Sequence, residues 1–126
     1  MYINKRYWPF FSYALILLCL SVCKSVVLFT PYILSLEKLM GGDKWLHFWL
    51  AMPLPPLLLW ATATCRIPLI HRLFLSLVLL SLAIVSDEVL QFWLSHRHFD
   101  WLDSLYGIAG IVGGGLIYLI LVRLKY

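Results

Sequence analysis

Charged side chains are scarce in this sequence. Only 13% of its 126 residues are Asp, Glu, Lys or Arg, about half of the roughly 25% that is usual for a soluble domain. Apolar residues make up 63% of the chain, and its mean hydropathy is +0.90. This composition excludes an ordinary soluble domain and predicts a membrane protein.

Extended polar segments are missing as well, because four apolar stretches cover residues 8–34, 45–64, 69–94 and 102–124. Each is near or above the ~20 residues that an α-helix needs to cross a bilayer. None shows the alternation of polar and apolar residues that a membrane β-barrel strand requires. We therefore predict an all-α membrane protein, a bundle of four transmembrane helices that forms a single domain over residues 1–126.

Several signatures of other protein classes are absent. The three cysteines, Cys19, Cys23 and Cys65, do not suggest a disulfide framework. The first apolar stretch is too long for a signal peptide and lacks a small-residue cleavage site, so we expect it to be retained. No nucleophile elbow, phosphate-binding glycine loop or paired-cysteine metal motif occurs. We expect no cofactor.

Acidic residues are absent from one side of the predicted bundle. Four spans place both termini and the loop between the second and third helices on one side, where the charged residues are Lys5, Arg6, Arg66, Arg72, Arg123 and Lys125. Because basic loops stay in the cytoplasm, we predict that both termini are cytoplasmic. This distribution explains the net charge of +4 without a nucleic-acid partner. All six acidic residues then lie at or near the extracytoplasmic face.

The acidic residues are concentrated in one stretch, DEVLQFWLSHRHFDWLD, which covers residues 87–103. Asp87, Glu88 and Gln91 lie three or four residues apart, so they can border one strip of a helix. Asp43 and His47 have the same spacing of four at the start of the second helix. These residues predict a polar surface at the outer end of the bundle.

Lys24 has the same estimated depth as Asp87. At ~1.5 Å per helical residue, both lie on the order of 25 Å from the inner end of their helices. A charge inside a bilayer is costly, so we expect Lys24 to pair with an acidic group at matching depth. The alternative is that Lys24 snorkels to the outer headgroups.

The loop segment His96-Arg97-His98 offers two further possibilities. Its two histidines could ligate a metal, but such residues are more often interfacial polar groups, and we expect no metal. Arg97 could bind a phosphate or carboxylate in a bidentate manner. It could equally pair with Asp100 or Asp103.

Proline and glycine are few but clustered. Pro53, Pro55 and Pro56 lie within the second stretch and should kink or unwind it. A small-xxx-small pattern in the fourth stretch would let another helix approach closely. The residues that we expect to pack helices within the bundle are Gly107, Gly110 and Gly114.

Several polar motifs occur in a particular order. They are DKWLHF at residues 43–48, DEVLQ at residues 87–91, then Arg97, Asp100 and Asp103, then the glycines that begin at Gly110. In order and spacing they resemble the VanZ-like family of small bacterial integral membrane proteins. That family usually has an asparagine where this chain has Gly107, and often Pro-Gly where it has Ser95-His96.

The resemblance implies a multi-pass protein of the bacterial cytoplasmic (inner) membrane. Its partners would be membrane lipids and, beyond them, lipid-linked glycans or envelope-assembly proteins. The family is named for a protein associated with resistance to a glycopeptide antibiotic, and its members look like accessory proteins of envelope or exopolysaccharide systems. No reaction follows from the resemblance.

Three functions remain open on the sequence. The leading one is an accessory envelope protein with an extracytoplasmic pocket for a lipid headgroup or lipid-linked glycan. The predicted pocket residues are Asp43, Lys44, His47, Asp87, Glu88, Gln91, Arg97, Asp100 and Asp103. A membrane-embedded hydrolase or transferase would use His47 with Asp87 or Glu88 as acid and base. A small transporter subunit would be built on the proline-broken helix.

Overall fold

The computed structural model describes residues 4–95 and 98–126. These residues form helices and turns, and no strand occurs among them. The six α-helices are α1 (Trp8–Lys24), α2 (Thr30–Met40), α3 (Asp43–Ala51), α4 (Leu54–Ala61), α5 (Leu69–Ser95) and α6 (Trp101–Leu124).

The first apolar stretch does not form the continuous helix that we predicted over residues 8–34. Helix α1 ends at Lys24, and Val26 has an extended backbone with φ −104° and ψ 121°. A 3₁₀ turn over Val27–Phe29 then leads into α2, whose first turn contains Pro31. Proline lacks an N–H and its ring clashes with the carbonyl four residues earlier, so it suits a helix start and not a helix interior.

The second apolar stretch is divided into α3 and α4, and the division falls where the sequence has its prolines. Helix α3 ends at Ala51, and Pro53 caps the start of α4, which has two further prolines in its first turn. Backbone groups at such a break need new partners. The Tyr13 hydroxyl on α1 donates to the carbonyl oxygen of Leu50 at 2.7 Å, which supplies one of them.

The third and fourth stretches form the two longest helices. Helix α5 begins at Leu69 and α6 ends at Leu124, and all four ends lie within one residue of the predicted ones. Three described segments are long and apolar enough to cross a membrane, namely Lys5–Lys24, Leu69–Leu94 and Trp101–Leu124. Large apolar side chains such as Phe74, Leu82 and Leu116 are exposed on the outer surface, as expected of a membrane protein.

Helix α6 packs against α3, α4 and α5 and carries much of the core. Its glycines determine how closely the helices approach. A Cβ atom at Gly110 would overlap the carbonyl oxygen of Phe48, and one at Gly114 would overlap that of Met52. Gly107 faces α5, where an added Cβ would lie 3.1 Å from Ile84. The backbones of α6 and α3 are therefore in direct contact.

Candidate functional site

The acidic residues of the chain gather at one end of the bundle. The ends of α1 and α5 and the starts of α3 and α6 meet there, together with α2. Ion pairs or hydrogen bonds connect every one of these helices to another at this end. The carboxylates are those of Glu37, Asp43, Asp87, Glu88, Asp100 and Asp103.

Lys24 forms the centre of the first polar group. Its Nζ atom hydrogen-bonds to Asp43 and lies 3.6 Å from Glu37 Oε1 and 3.3 Å from His47 Nε2. Its side chain is only 12% exposed. The expectation of a paired Lys24 is met, but the partners are Asp43 and Glu37, whereas the sequence suggested Asp87. The break after Lys24 turns α2 back over this end, which the predicted straight helix did not allow.

The two carboxyl groups beside Lys24 differ in their pKa. Hydrogen bonding to His47, together with Lys24, lowers the pKa of Asp43 far below its ordinary value. The pKa of Glu37 is raised, first because its carboxyl is partly buried and then because Asp43 is close. Asp43 is therefore the carboxylate that carries the negative charge beside Lys24.

Lys44 joins the start of α3 to the start of α6. Its Nζ atom lies 2.8 Å from Asp100 Oδ2 and 3.4 Å from Asp103 Oδ1. This contact raises the pKa of Lys44 and lowers that of Asp100. Asp100 also caps α6 by accepting the N–H of Leu102 at 2.9 Å. Asp103 is 3% exposed, and its Oδ2 atom lies 3.6 Å from His47 Nε2.

A second polar group connects α1 to α5. The Ser21 hydroxyl donates to Asp87 Oδ1 at 2.7 Å, and the amide of Gln91 donates to Ser21 Oγ at 2.8 Å and to Asp87 Oδ2 at 2.9 Å. Sequence reasoning missed Ser21. The available signal was its position one helical turn before Lys24, on the same face of α1.

Glu88 differs from its neighbour Asp87. Adjacent helical residues point about 100° apart, and Glu88 turns toward α6, where its Oε1 atom accepts the backbone N–H of Asp100 at 3.4 Å. Its side chain is almost completely buried. Asp87 therefore interacts with α1, whereas Glu88 interacts with the start of α6.

A cavity of about 310 Å³ lies between α1 and the helices α2 to α5, and Gly107 of α6 also lines it. Most of its wall is apolar and includes Phe10, Leu17, Leu54 and Leu80. The polar residues that line it all lie toward the acidic end; they are Ser21, Lys24, His47, Asp87, Glu88 and Gln91. The cavity is therefore amphipathic along its length.

Three side chains at this end have the geometry of metal ligands. One ligand atom from each of Asp43, His47 and Asp103 lies within 4.8 Å of the others. The ammonium group of Lys24 contacts Asp43 and His47, and that of Lys44 lies 3.4 Å from Asp103, so a lysine already pairs with each carboxylate of this cluster.

The predicted pocket residues that the structure describes are all at this one end. Arg97 and His96 lie outside the described residues. Among the described residues, His47 makes its close carboxylate contacts with Asp43 and Asp103. The acid–base hypothesis had paired it with Asp87 or Glu88, and this pairing is not the one that the structure contains.

Comparisons with known proteins found no match to this chain among protein-family models, curated proteins or solved structures.

Proposed function

We propose that this chain is a VanZ-like protein of the bacterial cytoplasmic membrane whose cavity binds an amphiphilic envelope molecule. The apolar part of the cavity would hold a lipid chain, and the polar end would hold a lipid headgroup or the first unit of a lipid-linked glycan. In this role the protein is an accessory component of envelope or polysaccharide processes or of glycopeptide tolerance, and it catalyses no reaction.

The observation that carries this proposal is the amphipathic cavity. Ligand sites are usually concave and mostly apolar, with a few polar groups that orient the ligand. Here the polar groups come from α1, α3 and α5 and converge on one end of an otherwise apolar wall. A lipid has the same division into one polar end and a long apolar part.

The distribution of charge supports four crossings with both termini in the cytoplasm. Helices α3 and α4 cover residues 43–61; without the two charged residues at the start, their length is about 25 Å at ~1.5 Å per residue, which is close to the ~30 Å of a hydrocarbon core. The end of the bundle without acidic residues would face the cytoplasm. The polar end of the cavity would then face outward, where envelope precursors are assembled.

Lipid occupancy can be tested by filling the cavity. Ala14 lines the cavity, whereas Ala109 on α6 is exposed and does not. We expect Ala14→Trp to reduce photocrosslinking by a phospholipid with a diazirine in its acyl chain by about tenfold, since the chain loses its space. Ala109→Trp is the control and should crosslink like the wild type. Equal crosslinking of wild type and Ala14→Trp would show that lipid does not enter the cavity.

One observation favours a second function, that of an acid–base enzyme. His47 Nε2 lies 3.6 Å from a carboxylate oxygen of both Asp43 and Asp103, an arrangement that can move protons. Incubation with envelope lipids and mass spectrometry of the products would detect headgroup hydrolysis or transfer. No new product, or one that still forms with His47→Ala, would exclude this mechanism.

A further inference from the structure

Glu88 is the one acidic residue of the six that has neither an ion pair nor a side-chain hydrogen-bond donor among residues 4–95 and 98–126, although Lys24 and His47 act on it electrostatically from a longer distance. Glu37 and Asp43 contact Lys24, and Asp100 and Asp103 contact Lys44. Asp87 accepts two side-chain hydrogen bonds. Glu88 accepts one long bond from a backbone N–H, although a carboxylate has about four acceptor positions.

Glu88 is also the most deeply enclosed polar group of the cavity. It is 6% exposed and lies in the cavity wall. Burying a carboxylate without compensating donors is costly, and buried charges are normally paired. The unused acceptor positions of Glu88 therefore indicate a donor that enters the cavity.

The surrounding charge determines what kind of donor this is. In the described part of the acidic end, six carboxylates stand against the ammonium groups of Lys24, Lys38 and Lys44. Lys24, the lysine that lines the cavity, is held by Asp43 and Glu37. Among these described residues an anionic headgroup would meet net negative charge, whereas a cationic donor would be attracted to it.

The cavity volume limits the size of the ligand. About 310 Å³ is at the lower end of the ~300–1,000 Å³ that is typical of small-molecule sites. This space suits one hydrocarbon chain with a compact headgroup. It does not suit an oligosaccharide.

We infer that the cavity selects an amphiphile with a primary ammonium headgroup and that the Glu88 carboxylate accepts its N–H groups. The inference rests on the proposed lipid-binding function and names the class of its ligand. A single-chain ethanolamine phospholipid and a single-chain alkylamine share this chemistry. A choline headgroup has the same charge but no N–H to donate.

The test is a competition between headgroups. Purified protein is mixed with equal amounts of ethanolamine, choline and glycerol lysophospholipids, each with the same single acyl chain, and bound lipid is counted by native mass spectrometry. We expect the ethanolamine lipid to be preferred by about tenfold, the ratio typical of one hydrogen bond to a charged group. Dodecylamine and free ethanolamine are added separately as competitors. If dodecylamine displaces the bound ethanolamine lipid and free ethanolamine does not, the ligand needs a hydrocarbon chain in addition to the ammonium group.

Two variants identify the acceptor. Glu88→Gln should bind the three phospholipids about equally, because the charged acceptor is gone. Glu37→Gln makes the same chemical change at the same end but outside the cavity wall, and it should keep the preference. The wild-type preference can be measured even if Glu88→Gln does not fold.

The possible outcomes separate this inference from the function on which it rests. Equal binding of the three phospholipids, or a preference for the glycerol lipid, would overturn the ammonium inference and leave lipid binding intact. A preference for ethanolamine that survives Glu88→Gln would overturn the role of Glu88. No retained lipid of any kind would overturn the proposed function and the inference together.

Discussion

Single residues at the acidic end depend on one another for their charge. Lys24 is the cation beside Asp43 and Glu37, and all three side chains belong to different helices. Lys24 and Glu37 are shielded from water, with exposures of 12% and 15%, whereas Asp43 is 36% exposed. Removing one partner of such a group leaves the other charges without compensation. Lys24 therefore holds α1, α2 and α3 together as well as lining the cavity.

This dependence predicts the effect of Lys24→Met. The substitution keeps the apolar stem but removes the charge, so the bundle should lose about 2 kcal/mol of unfolding free energy. Unfolding in a denaturing-detergent titration, followed by circular dichroism, measures this quantity. Lys5→Met removes an exposed charge at the opposite end and should change it little. Equal stability of Lys24→Met and wild type would mean that the ion pairs make no net contribution to the free energy of unfolding.

At the scale of elements, the contact between α3 and α6 depends on two glycines. Gly110 and Gly114 lie one helical turn apart and face the backbone of α3 and the break that follows it. Small residues at this spacing allow helix backbones to touch. The break itself brings backbone carbonyls to the surface of α3, and α6 packs directly on them. The two features therefore belong to one interface.

Alanine at either glycine should separate the two helices. We expect Gly110→Ala and Gly114→Ala each to cost about 3 kcal/mol, because a methyl group would collide with a backbone oxygen that cannot rotate away. Gly113→Ala is the matched control, since its new Cβ would lie 3.9 Å from a Phe48 ring atom, an ordinary contact. Midpoints of thermal unfolding in mild detergent compare the three. A similar loss in all three would attribute the effect to general helix properties and not to the interface.

At the scale of the whole molecule, charge is divided between the two ends. Every Asp and Glu side chain lies at the end that contains the polar part of the cavity, and the opposite end carries basic residues. Such a division orients a membrane protein, because basic segments remain in the cytoplasm. The same division of charge sets the electrostatic potential at the polar end of the cavity, where a lipid headgroup would bind.

The proposed orientation predicts a labelling pattern. Leu39 is 81% exposed at the acidic end, and Cys65 is exposed at the other. In intact cells and with the other cysteines replaced by alanine, Leu39→Cys should react with a membrane-impermeant maleimide, whereas Cys65 should react only after permeabilisation. Labelling of Cys65 in intact cells would place the acidic end inside and invert the orientation.

The sequence by itself determined the helical class, the two long helices and the segregation of charge. These properties depend on local composition and on apolar length, since ~20 apolar residues in lipid must form a helix to satisfy their own backbone. It also located the break between α3 and α4, because proline removes a hydrogen bond wherever it occurs. The end of α1 at Lys24 was missed, although Pro31 offered the same signal.

Only the tertiary structure decided which polar groups meet. The spacing along the chain placed Lys24 and Asp87 at one depth, but α2 folds back and brings Asp43 and Glu37 to Lys24 instead. Asp87 is then satisfied by Ser21 and Gln91, and Glu88 is left facing the cavity. Depth is a property of one helix, whereas pairing depends on how helices rotate and pack against each other. That rotation is set here by contacts between residues far apart in sequence, which no local pattern records.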